Sequence, residues 1–425
     1  MTLLKLIYRT LPTRRCSSLS RFQKEAINWD YFSNSANFVD IAANALARRV
    51  NCELKTLIAQ LHELSLAKDD PAKTQELKNT LTPLLYFFPN DTHPRVRENK
   101  SEEPVVLEKV GSKPPFTYHP TNFDSLTKRL NVLRTKHLGN ISGHKSYYLK
   151  NDLAMLEQAL VRYSLAKLRK KNFLQVSVPD IISRDDIERC GMRTDNKHSQ
   201  IFHIDEAWSP NVCLSGTSEI SLASYLSKKT FPLSKLPLRF CAASRCFRAE
   251  AKRSQKERGI FRVHQFTKVE MFGITPNESG QKSEELLYEF TSIQREIFTE
   301  LGLHFKILEM PVVDLGLPAY HKIDIEAWIP TLKMFGEVSS ASNCTEYQSR
   351  RMDIKYESEK PGKTKFCHTV NGTACAIPRL LIAILENHQN LDGSVRVPEP
   401  LQKYMGKEVM KDKFQEVMLS TKPVP

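Results

Sequence analysis

Residues 246–272 read CFRAEAKRSQKERGIFRVHQFTKVEMF. The flanks, RFCAASRCF (239–247) and GIFRVHQFTKVEMFGI (259–274), are rich in aromatic and β-branched residues. They predict two strands around a charged loop. One strand carries Arg248 and Glu250, the other Glu270. Residues two apart on a strand share a face. A planar guanidinium can grip a phosphate there while a carboxylate accepts from an amine. Taken alone, the same residues also describe an ordinary surface ion pair.

Working outward, the pattern stays mixed. SEELLYEFTSIQREIFTELG (283–302) predicts a helix, and Leu153, Leu156, Leu160 and Tyr163 mark an amphipathic one. FLQVSVPDII (173–182) predicts a strand ended by Pro179. KFCHTVNGTACAI (365–377) reads as strand and turn, followed by a buried helix over Leu380–Leu385. Strands separated by helices of unequal length predict an α+β domain with an antiparallel sheet flanked by helices, over residues 105–425.

Residues 25–104 are different. Val50, Leu54, Leu57, Leu61 and Leu64 follow 4-3-4-3 spacing, and Leu77, Leu81 and Leu84 resume it after Pro71. The spacing predicts a first helix of roughly 30 residues and a second of about 12–15, stopped near Pro83. Unequal helices cannot form a long two-helix arm, and a compact helical pair on the main body competes with a short arm. PNDTHPRVRENKSEEP (89–104) reads as a linker. The first 24 residues hold six basic residues and no acidic one, a mitochondrial presequence pattern.

The 425 residues carry a formal charge of +14, which favours a polyanionic partner such as RNA. The nine cysteines are odd in number and lack a CxxC pair, which argues against a disulfide framework or a zinc cluster built on them.

Five ordered motifs resemble the seryl-tRNA synthetase family, class II aminoacyl-tRNA synthetases, from about Phe87 to Met405. PNDTHPRV resembles the family's linker, GTSEISL (216–222) its TAE loop, and FRAEA…RGIFRVHQFTKVE its motif 2. GEVSSASNCTEYQSRR (336–351) resembles the block before motif 3, and HTVNGTACAIPRLLIAILENHQ (368–389) resembles motif 3. The resemblance implies an N-terminal helical tRNA-binding arm, here shortened. It also implies dimers built near Leu153 to Pro179. It places Arg248 on the ATP α-phosphate, Glu250 near the adenine amino group and Phe266 on the adenine ring. Arg258 and Arg379 would meet the outer phosphates, and Glu337 and Ser340 would ligate magnesium. Thr217, Glu219, Glu270, Asn371 and Thr373 would line the serine pocket.

Three departures from the family pattern set the functional expectation. Ala374 and Pro378 stand where the family has glycine, and are expected to crowd the nucleotide. The motif 2 loop lacks glycine and carries Lys252, Arg253 and Lys256, suited to RNA phosphates. The arm is reduced, with Arg48, Arg49 and Lys55 left to meet an RNA backbone. The chain is therefore expected to be a non-catalytic mitochondrial matrix paralogue that needs no cofactor. It would bind tRNA and pair with a mitochondrial seryl-tRNA synthetase or with itself. The alternative is an active, Mg-ATP-dependent serine–tRNA ligase.

Overall fold

The computed structural model describes residues 26–50, 52–99, 101–194, 200–207, 209–250 and 259–411. The presequence region and Lys252, Arg253, Lys256 and Arg258 lie outside these.

Three helices, α1 (Phe38–Ala47), α2 (Leu54–Leu66) and α3 (Pro71–Tyr86), form the N-terminal unit. The leucine stripe behaves as its spacing predicts: Leu57, Leu61 and Leu64 are buried against Leu81, Leu85, Ile41 and Phe88. The expected 30-residue helix does not form. The chain turns after Ala47 with Arg49 in the left-handed region (φ 53°), and Val50 N–H bonds back to Ala45 O at 2.9 Å. Val50 thus lies in that turn. Pro83 sits inside α3 and does not end it. In the last turn its missing N–H forfeits only one backbone bond.

This unit is fastened to the rest of the chain. Arg48 donates to Ala319 O (2.7 Å), Gly316 O (3.1 Å), Asp91 O (3.1 Å) and Asn90 O (3.3 Å), and to Thr92 Oγ1 (3.0 Å). Burial, the largest influence, lowers its pKa to about 10. Its guanidinium is thus committed to carbonyls and is not presented to RNA, as the sequence suggested. Arg49 is exposed and pairs with Glu102. Arg48→Ala is expected to cost about 2–3 kcal/mol, because several carbonyls lose a charged donor. Arg49→Ala should leave the urea midpoint nearly unchanged. Equal midpoints for the two variants would contradict the clamp.

The main body is one eight-stranded sheet. In chain order its strands are β1 (Val105–Val110), β2 (Leu174–Gln175), β3 (Leu238–Phe247), β4 (Gln265–Thr275), β5 (Phe305–Glu309), β6 (His321–Ile329), β7 (Met334–Thr345) and β8 (His368–Ala376). Their spatial order is β1-β5-β6-β7-β8-β4-β3-β2, antiparallel apart from the short β2 against β3. Helices α4 (Asn151–Lys170), α5 (Ser218–Leu226), α6 (Gln281–Glu300), α7 (Tyr347–Met352) and α8 (Ile377–Asn387) accompany it. α4 buries Leu153, Leu156, Leu160 and Tyr163 at helical spacing. Every residue of α8 except Arg379 is buried, so it runs through the core with only that side chain reaching out.

Where the sequence suggested a turn after His368, the strand continues to Ala376. Its pairing with β4 shifts between Val269↔Cys375 and Glu270↔Thr373, so Ala374 is the extra residue of a β-bulge.

Candidate active site

Two adjoining groups of side chains lie over the sheet, and Lys268 belongs to both. The first is a cleft of about 260 Å³ lined by Arg248, Glu250, Phe266, Glu337, Ser340 and Arg379, among others. β3 and β4 supply its motif 2 side, β7 and the start of α8 its far wall. The Arg248 guanidinium stands 5.3 Å from the Phe266 ring centroid, and its Nε donates to Gly216 O at 3.4 Å. Glu250 pairs with Arg262 at 3.2 Å. Arg379 stacks 4.7 Å from the Phe261 ring and pairs with Glu337 at 3.1 Å. The Glu337 side chain is 46% exposed. Surrounding protein would raise its pKa, but Arg379, Lys322 and Arg248 together hold it below the ordinary value, so it faces the cleft as an anion. Glu337 and Ser340 are hard oxygen donors, the set a magnesium ion prefers.

The second is a largely buried polar cluster. Glu219 Oε1 accepts from Gln348 Nε2 (2.6 Å) and Asn371 Nδ2 (3.0 Å). Thr373 Oγ1 lies 3.4 Å from Glu270 Oε1. Lys268 Nζ donates to Thr217 Oγ1 at 2.8 Å and pairs with Glu270. Thr217 itself caps α5, its hydroxyl accepting from Glu219 N. Burial, followed by the nearby Glu270 charge, raises Glu219 to about 7.

The structure therefore brings Arg248, Glu250, Phe266, Glu337, Ser340 and Arg379 to one cleft. It gathers Thr217, Glu219, Glu270, Asn371 and Thr373 in the polar cluster, and Thr373 also lines the cleft. Ala374 is not part of either wall. It is fully buried in the main hydrophobic cluster and is not among the residues with positive φ. The bulge turns its methyl away from the cleft, so alanine meets no glycine requirement there. Pro378 does line the cleft, but at the first turn of α8, where its fixed φ and missing N–H suit a helix start. Lys268, Gln348, Phe261, Arg262 and Lys322 were not singled out from sequence. Lys268 was recoverable, because Phe266, Lys268 and Glu270 alternate along one strand face. Gln348 comes from α7, and no local pattern connects it to Glu219.

This sheet, with a cationic cleft beside a buried carboxylate cluster, matches a class II aminoacyl-tRNA synthetase core. Residues 202–388 match the family model described as tRNA synthetase class II core domain (G, H, P, S and T). The chain is 47% identical over 319 residues to the mitochondrial serine–tRNA ligase of Bos taurus, covering 75% of this chain and 61% of that protein. It is 45% identical over 349 residues to the mitochondrial serine–tRNA ligase of Mus musculus, covering 79% and 67%. The crystal structure of Pyrococcus horikoshii seryl-tRNA synthetase complexed with ATP superposes with a TM-score of 0.74 at 29% identity, covering 91% of this chain and 90% of that one. The chain belongs to the seryl-tRNA synthetase family. It spans about three fifths of the bovine protein's length.

These findings overturn the expectation of a non-catalytic chain. Relatives sharing nearly half its aligned residues are named as ligases, which are enzymes. The crowding invoked against nucleotide binding also fails at Ala374, whose side chain lies in the core.

Proposed function

We propose that the chain is a mitochondrial serine–tRNA ligase, acting in the matrix, that activates serine with ATP and transfers it to tRNA. The observation carrying this reading is the buried Lys268–Glu270 pair, whose lysine lines the cleft. A buried ammonium at that point sits where a substrate carboxylate would meet a phosphate. The mitochondrial assignment is supported by the relatives' names and by the basic, acid-free first 24 residues.

In this reading Phe266 stacks on adenine and Glu250 accepts from its amino group. Arg248 holds the α-phosphate and Arg379 the outer phosphates. Glu337 and Ser340 would hold magnesium, which neutralises phosphate charge when bound. Glu219 and Glu270 take the serine ammonium, with Asn371 and Thr217 positioning them, and Thr373 contacts the substrate hydroxyl. A serine carboxylate oxygen attacks the α-phosphorus in line, and the bond to pyrophosphate breaks. The adenylate carbonyl is then attacked by a tRNA terminal hydroxyl, and AMP leaves. No protein nucleophile is required, so the site works by positioning and charge stabilisation.

The chain pairs with a second synthetase protomer across the surface near α4 and β2, where Met155 and Leu174 are exposed. A class II site is built beside such an interface, and a second copy of this chain is the simplest partner.

The test is ATP–pyrophosphate exchange with purified protein. Exchange should depend on serine, and serine with tRNA should yield charged tRNA. Absence of serine-dependent exchange would overturn the reading. A pH profile adds a second check. Serine KM is expected to fall as pH rises through about 7, as Glu219 ionises. Glu219→Gln should flatten that limb. Stability runs the other way: a carboxyl raised on folding contributes fully below its ordinary value and loses that contribution as pH rises towards about 7.

A further inference from the structure

Away from the cleft and its polar cluster, His93, Glu284 and His321 come together from three parts of the chain. His93 ends the segment leading into the short helix Pro94–Glu98. Glu284 lies in the first turn of α6, and His321 opens β6. One nitrogen from each histidine and one Glu284 oxygen lie within 4.8 Å of one another. The two imidazoles stack with centroids 4.6 Å apart. A pocket of about 600 Å³ opens beside them, lined by His93, Glu284, Tyr288 and Tyr320.

The hydrogen-bond inventory at this cluster is short of donors. His321 is fully buried, with Nε2 3.0 Å from Glu309 Oε1 and Nδ1 3.0 Å from Glu284 Oε2. A neutral imidazole has one N–H. Glu309 also pairs with Arg95 at 3.3 Å, and it is held as an acceptor. If His321 donates from Nε2 to Glu309, its Nδ1 lone pair faces a carboxylate oxygen with no proton between them. Glu284 already accepts from Asn343 Nδ2 at 2.8 Å on its other oxygen. His93 Nδ1 is shut off from solvent and has no hydrogen-bond partner among the described residues. A nitrogen of each histidine and a Glu284 oxygen thus lie close together, with the His93 Nδ1 lone pair unused.

We propose that His93, Glu284 and His321 form a binding site for a divalent transition-metal ion of the zinc class. Two imidazoles and one carboxylate, with a fourth position open to the pocket, are a donor set zinc accepts in tetrahedral geometry. Bonds of about 2.1 Å would draw the ligand atoms to roughly 3.4 Å apart, which requires the partly exposed His93 ring to turn out of its stack on the fully buried His321. Glu309 completes the arrangement as the carboxylate that fixes the tautomer of a ligating histidine. The ion would staple the segment after the helical unit to β6 and α6. This inference does not rest on the aminoacylation reading, and its test has a separate readout.

The test uses the full chain, stripped with a chelator and titrated with cobalt(II) and then zinc(II). One equivalent of cobalt should bind with visible ligand-field bands and no thiolate charge-transfer band, and zinc should displace it. His93→Gln and Glu284→Gln should each weaken cobalt binding at least about 10-fold. Both replace a partly exposed residue with a polar one, and circular dichroism checks that the variants stay folded. No cobalt binding by the parent chain would overturn the proposal and leave His321 as a doubly protonated imidazolium between two carboxylates. A thiolate charge-transfer band, or affinity unchanged in both variants, would overturn it as well.

Discussion

Arg248→Ala lowers kcat for serine-dependent ATP–pyrophosphate exchange by about 10²–10³-fold, the range for loss of one charge-stabilising donor in a water-poor site. The guanidinium reaches the cleft beside Phe266 and, among the described residues, makes one long hydrogen bond, to Gly216 O at 3.4 Å. Stability should change little, because the fold gains so little from the side chain. Arg248→Lys should recover only part of the rate, since an ammonium cannot present a planar two-point fork. Steady-state kinetics separate the possibilities. A variant with higher KM for ATP and unaltered kcat would show that Arg248 binds the ground state and transition state equally.

Lys268→Met has a double effect. Removing the ammonium leaves the Glu270 carboxylate buried and unpaired, since their side chains are 7% and 3% exposed. Breaking such a pair from one side costs about 3–5 kcal/mol. Serine activation should fall with it, because Thr217 and Glu270 both lose the group that positions them. The double variant Lys268→Met/Glu270→Gln distinguishes structure from function. It should regain much of the stability, since no charge is then stranded, and none of the exchange activity. Urea midpoints and exchange rates measured on the same preparations check this. Recovery of activity in the double variant would remove Lys268 from the chemistry.

Much of this site could be read from the chain itself. The two strands around a charged loop are present and bring Arg248 and Glu250 to the cleft, although the first strand ends at Phe247 and both residues follow it. Alternation along β4 was visible in sequence, and so was the apolar run of α8. What could not be read was register. Ala374 was expected to be a steric block because it stands where the family has glycine. The β-bulge adds a residue there and sends Thr373 to the pocket and Ala374 to the core. Arg48 presented the same difficulty. A basic residue on a polar helix end resembles an RNA contact until the carbonyls at 316 and 319 are folded against it. Long-range partners such as Gln348 for Glu219 leave no local trace.

The strand order has a consequence for how the polypeptide is made. β8 lies between β7 and β4, yet it is the last strand of the sheet to be synthesised. Until residue 376 is available, β4 and β7 each present an unsatisfied edge, and the two halves of the sheet have no seam to join them. A nascent or newly imported chain must therefore keep both edges from pairing with neighbours while it waits for its own keystone.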